Sequence, residues 1–209
     1  MILTIFGSTG TVGKHLVKQA LLMGHTVRAF GRNVFTSNFA ENEKLVLVQG
    51  ALFDAKEVYQ AIKGSDAVLS ALGGAFDGSD KTRSLGIKNI VAQMEKTNVK
   101  RLVAVGGMGV LNAPDDTLMM DDENYPPEFI PVGLEHLKAF GTLKASTLNW
   151  TFVGSPDIVD AEVTGSYHTT ADYPPTPNHY RIKAGDLAMF MLNELQKNEY
   201  PKKRVGISN

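Results

Sequence analysis

Three glycines, Gly7, Gly10 and Gly13, stand in the run GSTGTVG, directly after the apolar stretch Ile2 to Phe6 and directly before residues with helical periodicity. This is the placement a nucleotide pyrophosphate needs. The backbone must turn sharply, come close to the phosphates, and offer them the free N–H groups and positive dipole end of a helix. The spacing is G-x-x-G-x-x-G, a variant of the commoner G-x-G-x-x-G, and three glycines taken alone could mark only a turn. A second clue follows the apolar run Thr26 to Phe30, where the chain reads Gly31, Arg32, Asn33. An acid there would bond the ribose 2′-hydroxyl of NAD, whereas a guanidinium pairs with the 2′-phosphate of NADP. Arg32 therefore favours NADP(H) over NAD(H), against the plainer reading of a solvated surface charge.

The elements that must carry these residues alternate along the chain. Short apolar runs at Ile2–Phe6, Thr26–Phe30, Leu45–Val48, Ala67–Leu69, Arg101–Val105 and Trp150–Val153 read as strands, and Arg204–Ile207 could add a last one. Between them apolar residues recur at helical spacing: Val12, Leu16, Ala20 and Met23, with Gly24 as a stop; Val58, Ala61 and Ile62; Ile87, Ile90, Val91 and Met94; Leu137, Phe140 and Leu143; Leu187, Phe190, Met191 and Leu195. Strand and helix in alternation predict an α/β fold, a doubly wound parallel sheet of Rossmann type flanked by helices. Residues 1–209 read as one domain with no linker. Two stretches escape the pattern, about 106–131 and 155–180, and both follow the C-terminal ends of strands, where open α/β sheets bind ligands. They are expected to be long loops over a substrate.

Composition narrows the classes. The 209 residues are 43% hydrophobic and 21% charged, in the range of an ordinary globular protein. With 21 Lys+Arg against 22 Asp+Glu, the net charge of −1 supplies no basic field for nucleic acid or an anionic membrane. The absence of cysteine excludes disulfides, thiolate metal sites and a cysteine nucleophile. No signal-peptide pattern opens the chain and no long apolar run occurs, so a cytoplasmic location is expected. His15 and His25 flank the first helix, and His168 and His179 have no ligand spacing, so no metal site is expected. The spacing of the apolar residues says nothing of oligomeric state.

GSTGTVG with its following helix, Arg32, and LFDAKEVYQAIKGSDAVLSALGG at 52–74 resemble the atypical short-chain dehydrogenase/reductases. Within them the chain is similar to the NmrA-like NAD(P)H-binding family, which includes flavin reductases and biliverdin reductase B. RLVAVGGMG at 101–109, LKASTLNWTFVGSPDI at 143–158 and RIKAGDLAMFMLNEL at 181–195 agree. The resemblance implies that Gly7, Thr9, Gly10, Thr11 and Val12 hold the pyrophosphate and that Arg32 meets the 2′-phosphate. It also implies that Leu52 and Phe53 lie beside the adenine, that Ala71, Leu72 and Gly73 pass under the nicotinamide-side ribose, and that Pro156 and Ile158 border the nicotinamide. Asp54 would cap the next helix. One departure is that Ala51, not an acid, follows Gly50.

The wider superfamily reduces carbonyls with a Tyr-x-x-x-Lys pair and a serine at the end of the fifth strand. Here the one such pair, Tyr59 and Lys63, falls on the adenosine side, and the serine position reads Gly106, Gly107, Met108. A reaction whose proton can come from water fits best: hydride transfer to a flavin or a similar flat, conjugated small-molecule acceptor. Its catalytic residues are not identified by the sequence. His136 and Lys138, on the helix that bears the family's active-site face, are candidates to donate a proton or bond the acceptor. Met108, Met119, Met120 and Phe129 could form an apolar wall for an aromatic ring, as could ordinary loop packing. Met108, Phe129 and His136 are the candidate acceptor-binding residues. Two other functions stay open: a non-catalytic NADP(H)-sensing regulator, which would also lack the pair, and a nucleotide-sugar epimerase or dehydratase.

Overall fold

In the computed structural model, which describes residues 1–209, the first strand β1 (Ile2–Phe6) is apolar on both faces because helices cover both. Leu3 and Ile5 point into a cluster with the helices α1 (Thr11–Leu22) and α5 (Ala184–Lys197). Phe6 points the other way, into a cluster with α2 (Ala55–Ile62), α3 (Thr82–Thr97) and α4 (Ile130–Ala145). Each fully buried side chain of this size contributes about 1.5–3 kcal/mol of transfer free energy. The side-chain period of two along the strand thus sorts one sequence into two cores.

Eight strands form one sheet in the order β3 (Leu45–Gln49), β2 (Thr26–Gly31), β1, β4 (Ala67–Ser70), β5 (Arg101–Gly107), β6 (Asn149–Ser155), β10 (Lys203–Ser208) and β8 (His168–Ala171). All neighbours are parallel except β8, which runs antiparallel on β10. The chain winds outward from β1 through β2 to β3, then returns to β4 on the other side. That reversal opens a crevice at the C-terminal ends of β1 and β4, the place where this architecture takes ligands.

The stretch 155–180 differs from the expected loop. It carries β7 (Asp157–Val159) and β8, and β7 pairs in parallel with β9 (Arg181–Lys183), setting Ile158 opposite Ile182. These strands have three or four residues and are largely polar or exposed, so no apolar pattern announces them. Their partners do. The stretch 106–131 is also more ordered than a plain loop: β5 takes its first two residues, α4 takes its last two, and short 3₁₀ turns lie at Met108–Val110, Met119–Asp121 and Pro127–Phe129. Arg204 on β10 ties this stretch down, donating to the Val110 carbonyl and to Asn112 Oδ1 at 2.6 Å. No helix is long and apolar enough to cross a membrane.

Candidate functional site: a cleft at the strand ends

The glycines of the first turn have separate tasks. Gly7 has φ +73°, and a Cβ there would lie 2.3 Å from the Ala71 carbonyl oxygen. A Cβ on Gly13 would lie 2.0 Å from the Gly7 carbonyl oxygen. These two positions are therefore glycine because protein backbone passes over them. At Gly10 the nearest atom would be 3.4 Å away, so this glycine keeps open the space in front of the helix. Gly10 is also the N-cap of α1, and no side chain caps it. The amides of Thr11, Val12 and Gly13 consequently have no acceptor within the helix, and an anion placed there would meet three donors and the helix dipole. Ser8 fastens the turn to the end of β2, its hydroxyl donating to the Phe30 carbonyl at 3.0 Å. That bond holds Arg32, just past β2, beside the same turn.

From the α1 N-terminus a cavity of about 1340 Å³ extends along the strand ends. Its lining runs from Gly10, Thr11 and Val12, past Ala71, Leu72 and Gly73, to Pro156 and Ile158. Beyond them Met108, Met119 and Phe129 form an apolar wall, with His136 and Tyr125 on the same side. The segment carrying Ile158 is anchored by Asp186 on α5. Its buried carboxylate accepts from Thr164 N, Thr164 Oγ1 and Gly165 N, each at 2.7 Å.

Several expected residues stand elsewhere. Gly7, Thr9 and Arg32 do not line the cavity; Arg32 is exposed just past β2 with its guanidinium unpaired. Leu52 turns inward, where its side chain and that of Leu72 pack over Gly86, and Phe53 is exposed. Met120 is core rather than wall. Tyr59 and Lys63 do not line the cavity. His136 and Lys138, two apart on α4, are split by the helix: His136 faces the cavity, while Lys138 points away and donates to Glu135 at 2.8 Å.

Arg83 was not singled out by any spacing, yet it lines the cavity and is 6% exposed. Its guanidinium donates to the carbonyls of Gly74 and Ala75, both at 2.9 Å, and so fixes the turn after β4. Beside it, burial pushes the Glu135 carboxyl up, but hydrogen bonds from Lys138, Ser84 and Lys81 outweigh burial and hold it at about 2. The His136 imidazole is driven down to about 3, by burial first and then by the Arg83 guanidinium, with Glu135 opposing. A neutral His136 is no proton donor near pH 7; it is a hydrogen-bonding group.

Both groups bind protons less readily in the fold than in the unfolded chain, so both stabilise fully near neutrality. The contribution of His136 is lost as pH falls from the ordinary imidazole value of 6.5 towards about 3. That of Glu135 is lost from 4.5 towards about 2. Urea unfolding should therefore show stability falling through this acid range, and NMR should find His136 untitrated at pH 5. A His136 midpoint above that pH would refute the assignment.

Comparison with known proteins places this geometry in a wider group. A family model described as NAD(P)H-binding matches residues 7–198. The YwnB protein of Bacillus subtilis is 26% identical over 214 residues, covering 99% of this chain and 98% of that one. A Streptococcus pneumoniae structure named "putative NADH-flavin reductase" is 28% identical, with a TM-score of 0.85 over 100% of this chain and 99% of that one. A Burkholderia pseudomallei structure named "putative exported protein" is also 28% identical, with a TM-score of 0.84 over the full length of both chains.

Proposed function

Because the chain belongs to the NAD(P)H-binding family, we propose that it is an NADPH-dependent reductase of a flavin or a similarly flat, conjugated acceptor. One observation carries the reading. A single cavity joins the uncapped α1 amides to an apolar thioether and aromatic wall, and the chain's one Tyr-x-x-x-Lys pair lies outside it. The residues present fit a nicotinamide dinucleotide: free amides at Thr11 to Gly13, open space over Gly10, and an unpaired cation at Arg32. When bound, the reduced nicotinamide supplies a hydride. The chain's own part is alignment. The α1 N-terminus holds the phosphates, Ala71 to Gly73 and Pro156 with Ile158 border the nicotinamide half, and Met108, Met119 and Phe129 take the face of the acceptor. Thioethers suit that task because they are polarisable and contact aromatic edges favourably. The small-molecule acceptor and the cytoplasmic setting are part of this proposal.

The test is calorimetric titration with NADPH and NADH, followed by steady-state NADPH oxidation with riboflavin, FMN or a quinone added. Flavin-dependent turnover well above background supports the reductase. Tight NADPH binding without turnover on any acceptor would overturn it in favour of a cofactor-sensing protein. Arg32→Ala should weaken NADPH by about 1.5–3 kcal/mol, the loss of a charge-assisted bond, and leave NADH unchanged. Equal losses for both cofactors would remove Arg32 from the 2′-phosphate.

A further inference from the structure

Two polar side chains on the cavity wall have no partner in the protein, and a glycine makes room for each. At the end of β5, a Cβ on Gly107 would meet the His136 ring, with Cδ2 at 2.6 Å and Nε2 at 3.1 Å. Two residues on, a Cβ on Gly109 would meet the Tyr125 hydroxyl at 2.6 Å. Any larger residue at either position would push a ring from its seat. His136 is 9% exposed and lines the cavity, and no hydrogen bond reaches either ring nitrogen. Tyr125 is half-buried on the same wall, and only burial acts on its hydroxyl. Unpaired polar groups on an apolar wall are costly unless a ligand completes them. Seats of glycine and backbone hold both in place beforehand.

Resting on the reductase reading, we propose that Tyr125 and His136 form a two-point hydrogen-bonding edge for the acceptor's polar rim, a ring imide in which C=O and N–H stand side by side. The Tyr125 O–H donates to the carbonyl. The neutral His136 imidazole has one bare nitrogen, which accepts from the N–H. Met108 and Phe129 then face the apolar body of the same ring. An isoalloxazine carries this edge on its pyrimidine ring, whereas a simple quinone offers carbonyls alone. A nicotinamide carboxamide also pairs C=O with N–H, so the test must separate acceptor from cofactor.

Binding of oxidised riboflavin and of N3-methylriboflavin to the protein holding NADP⁺, read by flavin fluorescence quenching, makes that separation. Wild type should bind riboflavin about tenfold more tightly than the N3-methyl form, the worth of one hydrogen bond. Tyr125→Phe should weaken riboflavin by about tenfold, and His136→Phe should abolish the discrimination against N3-methylation. NADPH affinity by calorimetry should stay within about twofold in both variants. Equal binding of the two flavins by wild type, or unchanged riboflavin binding in the variants, overturns this edge and leaves the reductase reading standing. A parallel fall in NADPH affinity assigns the pair to the carboxamide and overturns it too. Wild type that binds NADPH but no riboflavin removes the flavin reading and this edge together.

Discussion

Gly13→Ala is expected to lower both stability and dinucleotide binding, whereas Gly10→Ala lowers binding alone. The added methyl at position 13 would stand 2.0 Å from the Gly7 carbonyl oxygen and 2.7 Å from Ser8 Cα, all of it backbone. No rotamer relieves such a contact, so the start of α1 or the preceding turn must move. Overpacking of this kind costs about 1–3 kcal/mol, and a clash with main chain belongs at the upper end. For a chain of this size that lowers Tm by roughly 6–12 °C. The same displacement misaligns the amides of Thr11 to Gly13, and NADPH affinity should fall by about a hundredfold or more. At position 10 the methyl has 3.4 Å to its nearest neighbour, so Tm should hold while the phosphates lose their clearance. Scanning calorimetry and titration on both variants check the contrast. A Gly13→Ala protein with wild-type Tm and affinity would show that the turn is far softer than its geometry.

Glu194→Leu should cost about 3–5 kcal/mol, because it strands a buried arginine. The Arg101 guanidinium, on the first residue of β5, donates to Glu194 Oε1 at 2.9 Å and to the Glu194 carbonyl at 2.8 Å. The side chains are 10% and 1% exposed. Glu194 Oε1 also accepts from Thr151 Oγ1 and Tyr200 N, both at 3.0 Å, while Oε2 accepts from Glu199 N at 3.1 Å. One carboxylate thereby joins β5, β6, α5 and the turn before β10 at the sheet end opposite the cleft. Removing it leaves a charge that burial already disfavours. Adding Arg101→Met to Glu194→Leu should recover much of the loss, since no buried charge is then left without its counter-charge. Urea unfolding of the two variants decides the point: a double variant less stable than Glu194→Leu would refute the stranded-charge account.

The seven parallel strands, the five helices and the nucleotide turn were legible in the chain itself. Leu3, Ile5 and Phe6 show why: a strand covered on both faces must be apolar at successive positions, and such runs stand out from amphipathic helices of period 3.6. Asp54 was legible as a helix cap for a local reason, since its carboxylate accepts from Lys56 N and Glu57 N only two and three residues away. The exposed Phe53 and the outward Lys138 were not, because a residue's neighbour on a motif does not fix the direction of its side chain. Arg83 gave no signal, as its partners Gly74 and Ala75 are set by how α3 docks over the turn after β4.

Local order and period belong to the chain: which residues make the seven parallel strands, which make the helices, and where the first helix begins without a cap. These follow from interactions over a few residues, and the sequence alone determines them. Long-range pairing decides the rest. β8 exists because β10 lies beside it, and His136 is neutral because Phe152 and Arg83, far apart in the chain, close around it. Gly107 reads in the sequence as part of a missing serine position, and only packing reveals it and Gly109 as seats for two rings. Burial and proximity arise between segments distant in sequence, so the chemistry of the cleft is a property of the fold.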